Sequence, residues 1–412
     1  MEQPATASPS RVLTVAQLVV GILGTLLSLG GLIGSSILLL SPNKTTTLMA
    51  DSSQVLNLSG VLLAVALLTT PSVTTAIRSL AGLPPRRQVR HRFLLATLAL
   101  LLVPLIILLD GSGSSEPAPN WLSAISNILT ILIPIWWFLE LGRSRLTGGS
   151  AQRQWGLFSF STFITLPVIL VVELVVLGFG MLFGALWLFQ QPEFAPILSQ
   201  FGSQNGIDPT LLDELSVDLI PFLTRPGVIA ALAAVVALII PLIEEMLKPL
   251  GLWLLHKRGL SPAEGFTLGL ICGAAFALLE SLFSISAVMP GERLFVIVGR
   301  LGTGLLHIFT AGLNGWALAT TWRDGKYARV GISYGLSVLI HGAWNFFALL
   351  MGLHAAGDEL PRIVDPAFSS LAAWLLAGIA LLLLLGLIAF NLHLRREPVP
   401  PPLPQTQENS LG

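Results

Sequence analysis

The chain contains little charge and almost no cysteine. Only 11% of its 412 residues are Asp, Glu, Lys or Arg, whereas a soluble chain carries about 25%. The single cysteine, Cys272, excludes an intrachain disulfide and a cysteine-rich metal site. The sequence also has no basic patch suited to nucleic acid and no stretch that would form a sizeable soluble domain. This composition favours a protein embedded in lipid and excludes a nucleic-acid partner.

Apolar residues make up 53% of the chain, and its mean hydropathy is +0.81. Long runs with almost no charge predict an all-α polytopic membrane protein, because helices satisfy their own backbone hydrogen bonds in lipid. The sequence predicts ten transmembrane helices: 12–40, 55–77, 93–109, 121–141, 155–189, 228–255, 263–288, 294–321, 330–353 and 368–392. The fifth is longer than one crossing needs, which predicts a tilted helix or a start in the interface.

Basic residues are distributed unevenly between the two sets of loops that these helices define. Sixteen of the 22 Lys and Arg residues fall in one set and four in the other, while Lys248 and Arg300 lie inside predicted helices. Cytoplasmic loops carry the excess of Lys and Arg. The pattern therefore predicts a multi-pass protein of the cell membrane with both termini cytoplasmic.

The chain divides into a predicted functional core and flanking parts. Residues 226–353 hold the core, formed by helices six to nine, because nearly all deep ionisable groups lie there. Residues 1–225 form five helices and an outer loop of unassigned role, and residues 354–393 form the last helix. The outer loop, 190–226, is predicted to be partly helical because it contains an Asp-Pro-Thr helix start. The proline-rich residues 394–412 predict a disordered cytoplasmic tail.

Glu244, Glu245 and Lys248 follow a charge-free apolar run in helix six. Buried charge is costly in lipid, so such residues usually face protein or water and serve a function. Glu244 and Lys248 are four residues apart and share a helix face, where they can pair. Pro241 and Pro249 bracket the group, and each predicts a kink that frees backbone carbonyls. A purely structural ion pair is the alternative, but two carboxylates against one lysine leave a surplus charge.

Helix seven combines a ridge of small residues with one deep carboxylate. Gly265, Gly269 and Gly273 recur every four residues, which predicts the close approach of another helix. Glu280 lies seven residues beyond Gly273 on the same face, so it should point at that neighbour, with Phe276 one turn before it. A protonated glutamate that only packs against a neighbouring helix is the alternative.

Helices eight and nine add two histidines. A polar stripe follows one face of helix eight: Arg300, Thr303, His307, Thr310 and Asn314. His341 and Asn345 are four residues apart on helix nine and also share a face. Arg300 is predicted to be a structural partner of a carboxylate. Each histidine, taken singly, could instead be a structural donor between helices.

The four helices place these groups at a similar depth in the membrane. Counting 1.5 Å per residue from the cytoplasmic end of each helix puts four side chains roughly 17 to 24 Å deep: Glu245, Glu280, His307 and His341. Independent packing residues would be scattered in depth. The sequence therefore predicts one shared site, which also contains Glu244 and Asn345.

Carboxylates and neutral imidazoles at one depth suit two routes of hydrolysis. They can hold Zn²⁺ with one position left for water. Alternatively, a buried glutamate acts as general base on water, with His and Asn as oxyanion donors. The predicted helices contain no H-E-x-x-H, no G-x-S-x-G and no aspartate pair, so the motifs of other hydrolase classes are missing. The residues leave both routes open.

Motifs on helices six to nine resemble those of PrsW-type intramembrane proteases, relatives of the type II CAAX prenyl proteases: Glu244-Glu245-x-x-Lys248, Phe276-x-x-x-Glu280, His307 and His341-Gly342-Ala343-Trp344-Asn345. The wider superfamily has arginine where this chain has Lys248, and histidine where it has Glu280, which indicates the PrsW branch. The resemblance covers about residues 228–353. It implies an intramembrane peptidase whose glutamates act as base or metal ligand and whose histidines act as ligands or oxyanion donors.

These observations give seven predicted catalytic residues: Glu244, Glu245, His307, His341, Glu280, Lys248 and Asn345. Four are the predicted ligands if a Zn²⁺ ion is bound: Glu245, Glu280, His307 and His341. The predicted substrate is a membrane-anchored protein or peptide. An ion-coupled transporter would also place Glu, His and Lys at mid-membrane, but the sequence lacks an inverted repeat. A non-catalytic membrane scaffold with the same fold is the third interpretation.

Overall fold

The computed structural model describes residues 10–40, 52–84, 91–109, 120–196, 219–286, 293–355 and 365–396. Every regular element in these ranges is helical. Ten helices in the described residues are long and apolar enough to cross a membrane: Arg11–Leu40, Ser53–Leu80, Arg92–Leu109, Trp121–Arg143, Ala151–Phe189, Pro226–Trp253, Pro262–Ser286, Arg293–Asp324, Ala328–Ala355 and Pro366–Arg396. The all-α membrane fold is therefore confirmed. The proline-rich residues 397–412 and the outer-loop residues 197–218 lie outside the described part of the chain.

The α-helices are numbered here in chain order: α1 (Arg11–Leu40), α2 (Ser52–Leu80), α3 (Arg92–Leu100), α4 (Val103–Leu109), α5 (Asn120–Arg143), α6 (Ala151–Phe160), α7 (Leu166–Phe189), α8 (Pro226–Ala234), α9 (Ile240–Leu247), α10 (Leu250–Trp253), α11 (Pro262–Ser286), α12 (Arg293–Asp324), α13 (Ala328–Ala355) and α14 (Pro366–Arg396). Two π-helical turns, Ser161–Thr165 and Val235–Ile239, join α6 to α7 and α8 to α9.

Both π-helical turns stand just before a proline. The N–H of Leu166 donates to the carbonyl of Ser161, and Pro167 follows. In the same way the N–H of Ile240 donates to the carbonyl of Val235, and Pro241 follows. Proline has no N–H and crowds the preceding turn, so the helix widens there instead of breaking. The long fifth transmembrane helix is thus one helix with a π-helical turn near its start.

The chain forms two compact units, which are described separately. Unit 1 comprises Met1–Leu166, Leu247–Ser337 and Ala380–Gly412. In it, α11 lies directly against α12. A Cβ atom added to Gly265, Gly269 or Gly273 would collide with the α12 backbone at Gly315, Ala311 and His307 respectively. The close approach that the glycine spacing predicts is confirmed.

Unit 2 comprises Pro167–Met246 and Val338–Ile379. It contains α8, the π-helical turn Val235–Ile239, most of α9 and the second part of α13. Gly342 on α13 faces the carbonyl of Ala237 in the π-helical turn, and an added Cβ would collide with that oxygen. Glycine at 342 therefore lets α13 approach the backbone of this turn closely.

Candidate active site

Unit 1 holds a group of interacting side chains, here called the Lys248 cluster. It is defined by the buried Lys248, Phe276 and His307 and the half-buried Glu280 and Arg300. Lys248 follows α9 at the point where Pro249 ends the helix, because a residue before proline avoids helical geometry. Its side chain is only 1% exposed. The ammonium Nζ lies 4.7 Å from the centroid of the Phe276 ring, which gives the charge an aromatic face.

His307 links Lys248 to Glu280 through its two ring nitrogens. Lys248 Nζ lies 2.7 Å from His307 Nδ1, and His307 Nε2 lies 2.8 Å from Glu280 Oε2. As an ammonium, Lys248 can only donate, so Nδ1 accepts the hydrogen bond, and the imidazole hydrogen is on Nε2, which donates to the carboxylate. His307 is fully buried, and its ring packs edge-on against Phe276 with centroids 4.9 Å apart. The tautomer of His307 is therefore set by Lys248.

Arg300 completes the Lys248 cluster. Its Nη2 lies 2.6 Å from Glu280 Oε2, and its Nε donates to the hydroxyl of Ser281 at 3.3 Å. The prediction that Arg300 partners a carboxylate is confirmed. Glu280 faces α12, as the glycine ridge on α11 predicts. Ser281, which hydrogen-bonds Arg300, was not predicted from the sequence, although it directly follows Glu280.

Unit 2 holds a second buried group, here called the His341 cluster and defined by Glu244, Glu245 and His341. All three side chains are buried. His341 Nδ1 lies 2.9 Å from Glu245 Oε1, and His341 Nε2 lies 3.9 Å from Glu244 Oε2. An ionised carboxylate can only accept, so Nδ1 carries the imidazole hydrogen and Nε2 keeps its lone pair. Glu245 thus orients His341, and Glu244 stands beside the unprotonated nitrogen.

Asn345, one turn beyond His341 on α13, supports this cluster through the backbone. Its side-chain Nδ2 donates to the carbonyl of Val236 at 3.0 Å. In the π-helical turn, the residue five positions on would donate to that carbonyl, and this residue is Pro241, which has no N–H. The carbonyl freed by the proline is satisfied by Asn345. The sequence predicted the freed carbonyls and the shared face of His341 and Asn345, but the link between them is visible only in the structure.

Replacing Asn345 with alanine is expected to destabilise the protein by about 1–2 kcal/mol, because the Val236 carbonyl loses its donor. For a chain of this size, thermal unfolding in detergent should show a midpoint lower by roughly 1 to 2 °C. Pro241→Ala provides the matched background, since alanine restores an N–H at the position that lacks one. The cost of Asn345→Ala should shrink in that background. An equal cost in both backgrounds would contradict this account of the π-helical turn.

The His341 cluster has the donor chemistry of a metal site. Metal-binding histidines commonly donate their second ring N–H to a carboxylate, as His341 does to Glu245. Two atoms bound to one Zn²⁺ at roughly 2.0–2.1 Å lie about 3.4 Å apart in tetrahedral geometry. The 3.9 Å between His341 Nε2 and Glu244 Oε2 is close to that separation. Glu244 and His341 therefore fit as two ligands. Both ring nitrogens of His307 are already hydrogen-bonded within unit 1.

A model of the family described as "PrsW family intramembrane metalloprotease" matches residues 167–387. The match begins in the fifth transmembrane helix and ends in the tenth, so it is wider than the segment 228–353 that carries the sequence resemblance. It includes every member of both clusters. No curated protein and no solved structure matches the chain.

Proposed function

The chain belongs to the PrsW family of intramembrane metalloproteases, and from this premise we propose that it hydrolyses a peptide bond in a membrane-anchored protein or peptide. The observation that carries the proposal is the His341 cluster, where an imidazole oriented by one buried carboxylate has its second ring nitrogen 3.9 Å from another buried carboxylate. Such an arrangement has the chemistry to bind and activate water.

We assign different roles to the two adjacent glutamates. Glu245 is a positioning residue, because its hydrogen bond to Nδ1 fixes the orientation and the tautomer of His341. Glu244 and His341 Nε2 are the groups proposed to act at the reacting centre. A bound Zn²⁺ would lower the pKa of water and polarise the peptide carbonyl. We propose Glu244 and His341 as two of its ligands, and the set from sequence, Glu245, Glu280, His307 and His341, stays a prediction.

The Lys248 cluster is proposed to handle a proton. Peptide hydrolysis consumes one water, and the departing amine must gain a proton when the carbon–nitrogen bond breaks. His307 accepts from Lys248 at one nitrogen and donates to Glu280 at the other, so a proton entering at one end can leave at the other. Arg300 pairs directly with the carboxylate of Glu280 and holds it in place. That both clusters serve one reaction rests on the similar depth of their residues in the sequence.

The proposed activity is tested with the purified full chain in liposomes that contain a fluorescent model transmembrane substrate. Cleavage is expected, and reconstituted vesicles should show no proton- or Na⁺-driven uptake. Uptake without cleavage would contradict the peptidase and support an ion-coupled transporter. The absence of both cleavage and uptake would support a non-catalytic scaffold.

Removing metal is expected to abolish cleavage, because Glu244 and His341 would then lack the ion that activates water. A membrane-permeant chelator should stop the reaction, and added Zn²⁺ should restore it. Metal analysis should find zinc in the purified chain and little in a Glu244→Gln, His341→Gln double variant. Full cleavage after chelation, in protein shown to be metal-free, would instead support the route in which a glutamate is the general base.

The 16-to-4 division of basic residues supports a further proposal, that both termini are cytoplasmic. Residues 226–353 remain the proposed functional core.

A further inference from the structure

A basic cleft lies in unit 1, formed by residues that belong to neither cluster. Its volume is about 590 Å³. The start of α1 and the segment that follows α10 line it: Ser10, Val12, Leu13, Trp253, Leu254, His256, Lys257 and Arg258. Ser10 directly precedes one transmembrane helix, and the basic residues directly follow another. The cleft therefore lies where two helices reach the membrane surface.

The cleft carries positive charge that the described residues lining it do not compensate. None of the described residues that line it is acidic. In the described part of the chain, neither Lys257 nor Arg258 has a salt bridge or a side-chain hydrogen bond. Glu264, which follows closely in sequence, is engaged elsewhere: it pairs with Arg153 at 3.4 Å and accepts from the backbone N–H of Ser261 at 3.1 Å. Lys257 and Arg258 can therefore both bind an anion that enters the cleft.

One wall of the cleft is apolar, and aromatic rings lie beside it. Val12 is 76% exposed and Leu254 is 51% exposed, so their side chains are open to an acyl chain. Trp253 and His256 each contact the ring of Trp322, with centroids 5.7 and 5.2 Å apart. Tryptophan is typical of the depth where headgroups meet acyl chains. The cleft thus combines cations and exposed apolar side chains at the level of a phospholipid headgroup.

We propose that this cleft binds the headgroup of an anionic phospholipid, with the phosphate held by Lys257 and Arg258 and an acyl chain lying along Val12 and Leu254. Guanidinium and ammonium donors are the usual protein partners of phosphate. The first-turn N–H groups of α1 have no partner within that helix and add a favourable dipole at the same end. The net negative charge is essential, since a zwitterionic lipid carries its own cation. The apolar wall favours a lipid over a soluble phosphate.

The test compares three probes added to the purified full chain in neutral detergent: dioleoylphosphatidylglycerol, dioleoylphosphatidylcholine and glycerol 1-phosphate. The thermal unfolding midpoint is followed against probe concentration. Phosphatidylglycerol should raise the midpoint in a saturable manner, and the other two should not. In the Lys257→Gln, Arg258→Gln variant, roughly 10- to 30-fold more phosphatidylglycerol should be required. Leu254→Asn should weaken the lipid effect as well.

The matched control is Arg323→Gln, Lys326→Gln. Both side chains are exposed, follow the tryptophan that contacts Trp253, and lie outside the cleft lining. The control removes the same charge and should respond to phosphatidylglycerol as the unmodified chain does. If the control loses as much of its response to phosphatidylglycerol, the effect is one of general charge, and the cleft is not the binding site. An equal effect of phosphatidylcholine or of glycerol 1-phosphate would overturn the anionic lipid as its ligand.

Discussion

Replacing Glu244 with glutamine is expected to reduce cleavage of a model transmembrane substrate by about 10³-fold, within the range found when a general base is removed. Glutamine has nearly the same size and can stay in the same buried position. It cannot accept a proton from water at neutral pH, and its neutral amide is a poor ligand for Zn²⁺. Glu244 stands 3.9 Å from the unprotonated nitrogen of His341, so both proposed routes lose their central group. Cleavage is measured as initial rate in liposomes with matched amounts of protein.

Glu245→Gln separates a positioning role from a reacting one. A glutamine amide can rotate and donate to His341 Nδ1, which would move the imidazole hydrogen to Nε2. In that tautomer His341 neither binds metal nor accepts a proton at the reacting side, so a large loss of rate is expected here too. Glu245→Asp, which keeps an acceptor, should recover part of the rate, whereas Glu244→Asp should recover less. Full activity in Glu244→Gln would refute the assignment of Glu244 to the reacting centre.

Much of the fold follows from hydropathy alone. In lipid, such long apolar segments are stable only as helices, because a helix satisfies its own backbone hydrogen bonds. The interruptions are harder to predict. Pro241 indicates a disturbed helix. Whether the helix kinks, breaks or widens depends on which group donates a hydrogen bond to the carbonyl that the proline leaves without a partner. Asn345 does so from a helix more than a hundred residues away. The first π-helical turn has the same origin before Pro167, where hydropathy alone predicts only an unusually long helix.

The residues that form the two clusters could be predicted from sequence, and their pairings could not. Equal depth indicated that Glu245 and His341 could meet, since depth depends only on helix length and direction. Which nitrogen of His307 meets Lys248 depends on side-chain rotamers and on the rotation of α12, which depth does not fix. The glycine ridge did fix one contact, because three glycines at four-residue spacing allow only one helix face to approach. Glu280, on that face, was therefore assigned to its neighbour correctly.

Replacing His307 with alanine is expected to abolish cleavage and to destabilise the protein by about 3 kcal/mol or more. The fully buried ring links an ammonium to a carboxylate, so its loss breaks both hydrogen bonds and leaves a cavity among charged groups. Thermal unfolding in detergent should show the loss directly. Alanine alone cannot distinguish a proton-carrying role from a structural one, because a destabilised chain also loses activity.

His307→Gln resolves the two roles, because a glutamine can replace both hydrogen bonds. Its carbonyl oxygen accepts from Lys248 and its amide donates to Glu280, so the unfolding midpoint should stay within about 1 °C of the unmodified value, against the roughly 3 to 4 °C expected for alanine. An amide cannot pass a proton from one end to the other, and the cleavage rate should still fall about 100-fold. Normal stability with normal cleavage would show that His307 only joins helices. Normal stability with lost cleavage places the proton path through the imidazole, and the Lys248 cluster then belongs to the chemistry as well as to the fold.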